Sequence, residues 1–205
     1  MLIHIKNLVQ DGKKNGYAIG AFNITNFESI LAVAQAAVRA DSPAIIQVSE
    51  SAIKYMGLKP ITHIVSTVAK NVAASVPIAL HLDHGSNFDT VFECISSGFT
   101  SVHIDASNLP LDENIKLTRQ VVKVAHARRV WVQGEVVAMI CSHDKNIKSK
   151  LKNIPLAKLD EVVKFVSETK VDTIAAAIGT AHGVHANEDI VFSLLKAIKS
   201  KVKIP

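Results

Sequence analysis

Along the whole chain, short runs of β-branched and apolar residues alternate with longer stretches of helical periodicity. Tyr17–Asn23 reads as a strand and Asn26–Ala40 as a helix. Pro43–Val48 reads as a strand, and Pro60–Ala74 as a helix that Pro60 can open at its first turn, where no backbone N–H is needed. The pattern repeats with Ile78–Leu82 before Phe88–Ser97, and Ser101–Ile104 before Leu111–Arg128. Val130–Glu135 then precedes Leu156–Thr169, and Thr173–Ile178 precedes Asp189–Lys201. Strand–helix units in series imply parallel strands, because a parallel neighbour is reached only through a crossover long enough to hold a helix.

Two architectures fit six such units: an open doubly wound sheet or a (β/α)₈ barrel. No GxGxxG follows the first strand, so dinucleotide binding has no support. The strands end in polar residues: Asn23, Ser49, the pair Asp83 and His84, Asp105, Glu135, and the loop residue His182. Barrels carry their chemistry at the C-terminal ends of many strands, whereas an open sheet gathers it at one switch point. The spread of polar ends favours the barrel.

A length of 205 residues with 48% hydrophobic and 20% charged residues suits one packed domain and argues against disorder. No apolar run approaches the ~20 residues that span a bilayer. Met1–Lys14 is amphipathic and lacks the features of a signal peptide, so a cytoplasmic protein without membrane partners is expected. Cys94 and Cys141 have no pairing or CxxC pattern, and Cys94 is expected to be an inert thiol in a helix. The net charge of +5 comes with only 5% aromatic residues, and the one dense basic stretch, Lys145–Lys152, reads as a solvated loop. No nucleic-acid partner is therefore expected, while a mild basic excess suits an anionic substrate such as a sugar phosphate.

Two local patterns can carry chemistry. His81-Leu82-Asp83-His84-Gly85 closes a buried strand, and the turn at Gly85 lets Asp83 and His84 both face the mouth of the fold. A neutral histidine is a good zinc ligand, and a carboxylate beside it that is not spent on metal can act as general acid or base. Histidine and aspartate at a strand end serve equally well as helix caps and hydrogen-bonding groups. In Ala177-Ile178-Gly179-Thr180-Ala181-His182-Gly183 a strand runs into a glycine-flanked histidine, where close backbone approach and a phosphate-holding N–H are possible.

These patterns share the chain with Gly20-Ala21-Phe22-Asn23, Gln47-Val48-Ser49-Glu50, Gly98-Phe99-Thr100-Ser101-Val102, Ile104-Asp105 and Ala125-His126-Ala127-Arg128. In that order, over essentially the whole length, they resemble class II fructose-bisphosphate aldolases, a family that includes tagatose-bisphosphate aldolases. The resemblance implies a (β/α)₈ barrel and zinc-dependent, reversible cleavage of fructose 1,6-bisphosphate to dihydroxyacetone phosphate and glyceraldehyde 3-phosphate. It implies His84 and His182 as zinc ligands, Asp105 as a support of the metal site, and Glu135 as a carboxylate near the metal and the proton path. It implies Asp83 as the acid/base for the C4 hydroxyl. Asn23 and Ser49 match substrate-contacting positions, and Gly183 a phosphate contact close to a monovalent-cation (Na⁺ or K⁺) site. A homo-oligomer is implied for a complete chain.

The match also has departures. The family's third histidine ligand, its glycine-serine phosphate loop and an asparagine-containing segment would all follow Val202–Pro205. An incomplete barrel of six βα units without its last two strands, exposing two unpaired parallel edges, is therefore expected. Val136–Cys141 replaces a glycine-rich stretch, and Ala186 stands where a phosphate-facing lysine is usual. The competing expectations are a tagatose-bisphosphate aldolase, a truncated and inactive paralogue, and an unrelated sugar-phosphate barrel.

Overall fold

The computed structural model describes residues 2–140, 154–182 and 190–205. Helix α1 (Ile5–Asn15) leads into β1 (Gly20–Asn23), α2 (Phe27–Arg39), β2 (Ala44–Ser49), α3 (Glu50–Met56) and α4 (Leu58–Asn71). Then come β3 (Ile78–Gly85), α5 (Phe88–Ser96), β4 (Ser101–Ile104), α6 (Leu111–Ala127) and β5 (Trp131–Glu135). Helix α7 (Leu159–Thr169), β6 (Thr173–Ala175) and α8 (Phe192–Lys201) complete the order. The six strands are all parallel and lie side by side in chain order, β1 to β6. A doubly wound sheet reverses its strand order at a switch point. This sheet does not, and it forms part of a (β/α)₈ barrel.

Strand alternation sorts the side chains onto two faces. On the outer face Ile46, Val48, Leu80, Leu82, Val102, Ile104 and Val132 pack against helical residues such as Ile30, Ile61, Val65, Val91, Ile115 and Phe165. On the inner face Ile45 and Ala79 meet Ile5 and Leu8 of α1, with Trp131 beside them. Helix α1 thus plugs the floor of the barrel. The His4 side chain caps it by accepting from Lys6 N, and Gly16, at φ 74°, ends it in a left-handed turn.

Caps sit directly above the strand ends, where the chain turns back into each helix. Asn26 and Ser29 form a capping box at the start of α2, and Asn87 caps α5 through Thr90 N. Several expectations about element bounds need correction. A separate helix, α3, follows β2, and α4 begins at Leu58, so Pro60 is its third residue rather than its first. That position also lacks an intrahelical N–H partner, so the proline is still tolerated. Strand β3 runs on to Gly85 instead of stopping at Leu82. Strand β6 and helix α7 are both shorter than expected, because Leu156 and Ala157 spend their backbone on an antiparallel bridge with Ile178 and Ala177. Strand β1 is also short, and all four of its residues are exposed.

Strands β1 and β6 do not pair with each other. Between them lies an apolar cavity of about 780 Å³, lined by Ile19, Ile45, Ile174, Ala176, Ile178 and Val202 among others. Beyond α8 the chain returns along β6, where Ile174 N donates to Pro205 O at 3.0 Å. Among the described residues no helix is long and apolar enough to cross a membrane. Cys94 is buried in α5, and burial pushes its thiol up to about 12. Cys141 and the basic stretch Lys145–Lys152 lie outside the described residues.

Candidate metal and proton-transfer site

The C-terminal ends of β3, β4 and β5 converge on one cluster of imidazoles and carboxylates. Its geometry begins with a bulge. The β3–β4 register shifts between Leu82 and Gly85, so Asp83 and His84 together occupy space where the ladder has no matching partners. His84 sits at φ 51°, a left-handed conformation that a non-glycine residue adopts only under constraint. Gly85 follows at a point too crowded for a side chain. A Cβ there would come within 2.5 Å of Val91, 2.8 Å of Leu82 and 2.9 Å of the His103 carbonyl oxygen. The bulge brings two consecutive side chains to the barrel mouth, where a regular strand would show only one.

His84 is then held by its neighbour strand. Its Nδ1 donates to Asp105 Oδ2 at 2.7 Å, which leaves Nε2 as the free lone pair, 3.9 Å from Asp83 Oδ1. Asp105 is fixed in turn, because its Oδ1 accepts from the backbone N–H and the hydroxyl of Ser107. Asn23 Nδ2, arriving from β1, donates to Asp83 Oδ2 at 2.6 Å. Glu135 is buried at 1% exposure, and its Oε1 accepts from Met139 N at 3.3 Å. Its backbone carbonyl is tied to α6 by Asn114, whose own carbonyl oxygen accepts from Thr118.

This environment spreads the proton affinities. Burial, reinforced by the Asp105 charge, pushes Glu135 up to about 7. The hydrogen bond to Asp105 raises His84 despite the opposing effect of burial. Burial would raise Asp105 too, but the hydrogen bonds from His84 and Ser107 outweigh it and hold that carboxyl well below the usual carboxylate range. Burial lowers His81 to about 4, so it stays neutral beside Ser101.

The other expected positions fall around this cluster. The His182 ring lies edge-to-face with His84, centroids 5.5 Å apart, and its backbone N donates to Ile140 O at 2.8 Å. Ser49 pairs in register with Asp83, but its hydroxyl also caps α3 through Ala52 N at 3.3 Å and touches Ser51. Gly183 and Ala186 lie outside the described residues. One residue was missed in the sequence. His103 is 1% exposed, and its ring centroid lies 4.5 Å from that of His84. The signal was available, since His103 lies two residues before Asp105 and alternation puts both on the inner face of β4.

The donor chemistry fits a divalent transition metal. The ligand atoms of Asp83, His84 and His103 lie within 4.8 Å of one another, as do those of His84, Asp105 and Glu135. His103 Nε2 and Glu135 Oε2, 3.5 Å apart, are buried without a hydrogen-bond partner among the described residues. Mixed imidazole and carboxylate donors with such orphaned atoms suit zinc or its neighbours better than magnesium.

Comparison with known proteins gives the same direction. A family model described as class-II fructose-bisphosphate aldolase matches residues 3–205. The fructose-bisphosphate aldolase of Helicobacter pylori is 39% identical over 208 residues, covering 100% of this chain and 67% of that protein. That of Staphylococcus epidermidis is 35% identical, covering 100% of this chain and 71% of its own length. Among solved structures, the YdjI aldolase from Escherichia coli K12 superposes with a TM-score of 0.85 at 28% identity, covering 100% of this chain and 71% of that one. The fructose-bisphosphate aldolase from Campylobacter jejuni gives 0.75 at 25% identity, covering 98% of this chain and 66% of that one. This chain, spanning about two thirds of the length of such relatives, belongs to the class II fructose-bisphosphate aldolase family.

Proposed function

We propose that the β3–β5 cluster is a metal-dependent aldol site acting on fructose 1,6-bisphosphate, which it cleaves reversibly to dihydroxyacetone phosphate and glyceraldehyde 3-phosphate. The observation that carries this reading is the pairing of Asp83 with His84 on one bulge. A carboxylate oriented by Asn23 stands 3.9 Å from an imidazole nitrogen whose other face is anchored on Asp105. Zinc bound at His84 and His182 would polarise the substrate's ketone and offset the negative charge that develops as the C3–C4 bond breaks.

The chain's own residues do the rest. Asp83 takes the proton of the C4 hydroxyl in cleavage and returns it in condensation. Asn23 keeps that carboxylate pointed at the mouth and contacts the substrate. Asp105 is a positioning residue, since it fixes the tautomer and tilt of His84. Glu135, with its carboxyl pushed up to about 7, can exchange a proton near neutrality on the carbon side of the reaction. Ser49 lies beside Asp83 in register and serves the sugar hydroxyls. By the family resemblance, Gly183 would contact the substrate phosphate, close to a monovalent cation.

The test is zinc-dependent cleavage by this chain, assayed on fructose 1,6-bisphosphate and on its C4 epimer, with an Asp83→Asn control. Cleavage that needs both zinc and Asp83 supports the reading, and preference between the epimers names the substrate. Folded, zinc-loaded chain that cleaves neither sugar sinks the catalytic reading and leaves a non-catalytic member of the family.

A further inference from the structure

His103 is a buried polar side chain to which the aldol scheme gives no task. It sits on the inner face of β4 at 1% exposure, with Nε2 unpartnered among the described residues. Leaving such a nitrogen unbonded in a dry site costs free energy, and native structures rarely do so without a reason. The atom is aimed at the metal cluster. It lies 3.5 Å from Glu135 Oε2, and the His103 ring packs against that of His84 at 4.5 Å between centroids.

We propose that His103 is a metal ligand, its Nε2 joining His84 Nε2 and a carboxylate oxygen of Asp83 in holding a divalent transition-metal ion at the inner end of the site. The ligand atoms of these three residues already lie within 4.8 Å of one another. Donors bound tetrahedrally at ~2.0–2.2 Å from zinc stand about 3.3–3.6 Å apart, so a small side-chain rotation closes the site. His84 needs no tautomer change, because its Nδ1–H is spent on Asp105 and Nε2 is the free face. Together with His182, these donors would make up a four-coordinate set of the kind zinc prefers. Asp83 would supply the third donor to the metal when no substrate is bound, and its carboxylate remains the group that moves the C4 hydroxyl proton.

This inference rests on the metal reading above and deepens it, placing a second nitrogen ligand on β4, independent of His182. The experiment is a cobalt(II) titration of the metal-free full chain, comparing wild type, His103→Met and His84→Ala, with circular dichroism and thermal midpoint as checks on folding. The expected result is at least ~tenfold weaker cobalt binding and a changed d–d band in His103→Met at unchanged fold. Wild-type affinity and spectrum in His103→Met overturn the inference and leave the metal site standing, whereas a wild-type chain that binds no cobalt overturns both. Should His103→Met not fold, zinc-edge X-ray absorption of the zinc-loaded His182→Ala chain decides the matter. Two imidazoles in the first shell are expected, and one imidazole contradicts the assignment.

Discussion

The middle of the sheet and its two flanks differ in how firmly they hold their residues. Strands β3 and β4 are paired on both sides, and their residues up to the bulge are buried, whereas β1 is exposed at all four positions and β6 is half-exposed along its length. The groups proposed to handle the proton and the metal, Asp83, His84, His103 and Asp105, stand on or directly after the middle strands, with Glu135 on the adjoining β5. Two groups aimed at them from the flanks, Asn23 and His182, come from the end of β1 and from the loop beyond β6. A buried centre that perturbs the pKa values of its groups, reached by Asn23 and His182 from less buried backbone, suits a site whose reacting groups need tighter placement than those that only approach them.

Substitutions can break or sharpen this contrast. The largest effect is expected at the centre. Asp83→Asn should lower the cleavage rate by ~10²–10⁴-fold even at saturating zinc, because the general acid/base is lost while the imidazole ligands remain. Steady-state kinetics alongside metal analysis decide it, and a loss below tenfold removes Asp83 from the proton path. Next is Phe165→Ala, which empties a fully buried site beneath Gly134 on the outer face of β5. A cost of ~3–5 kcal/mol in urea unfolding is expected, and a cost under ~1 kcal/mol means that this layer is not packed as described.

Glu135→Gln should stabilise the metal-free chain in a pH-dependent way. The glutamate carboxyl stays protonated in the folded chain up to about 7, against an ordinary value of 4.5, so its contribution is intact below 4.5 and is lost as the pH rises through about 7. The difference of about 2.5 units corresponds to ~3 kcal/mol, so the glutamine variant should gain about that much at pH 8 and almost nothing at pH 4. Equal gains at both pH values would show that burial of the charge is not the cause. The smallest effect belongs to the flank. Asn23→Ala should change stability by no more than ~0.5 kcal/mol, since the residue is exposed on an edge strand, while raising the KM for the sugar bisphosphate. A stability loss near that of Phe165→Ala would abolish the distinction between centre and flank.

Much of this architecture was legible in the sequence because periodicity reports burial. Runs such as Ile78–Leu82 and Ser101–Ile104 are apolar on both faces, which marks them as covered parallel strands. Strand ends were harder. The extension of β3 to Gly85 depends on a bulge, which no propensity announces, and α3 was hidden because Ser49 is both the last residue of β2 and a helix cap. Within the site, Asp83 and His84 stood out as a motif, and Asp105 and Glu135 as polar ends of apolar runs. His103 did not, because a single histidine inside a short strand reads as core until the position of its neighbours is known.

The most direct measurement is anomalous scattering at the zinc edge from crystals of the zinc-soaked chain. The expected result is a peak within bonding distance of His84 Nε2, with Nδ1 still on Asp105. A peak elsewhere, or none with His84 ordered, contradicts the assignment of the β3–β5 cluster as the metal centre.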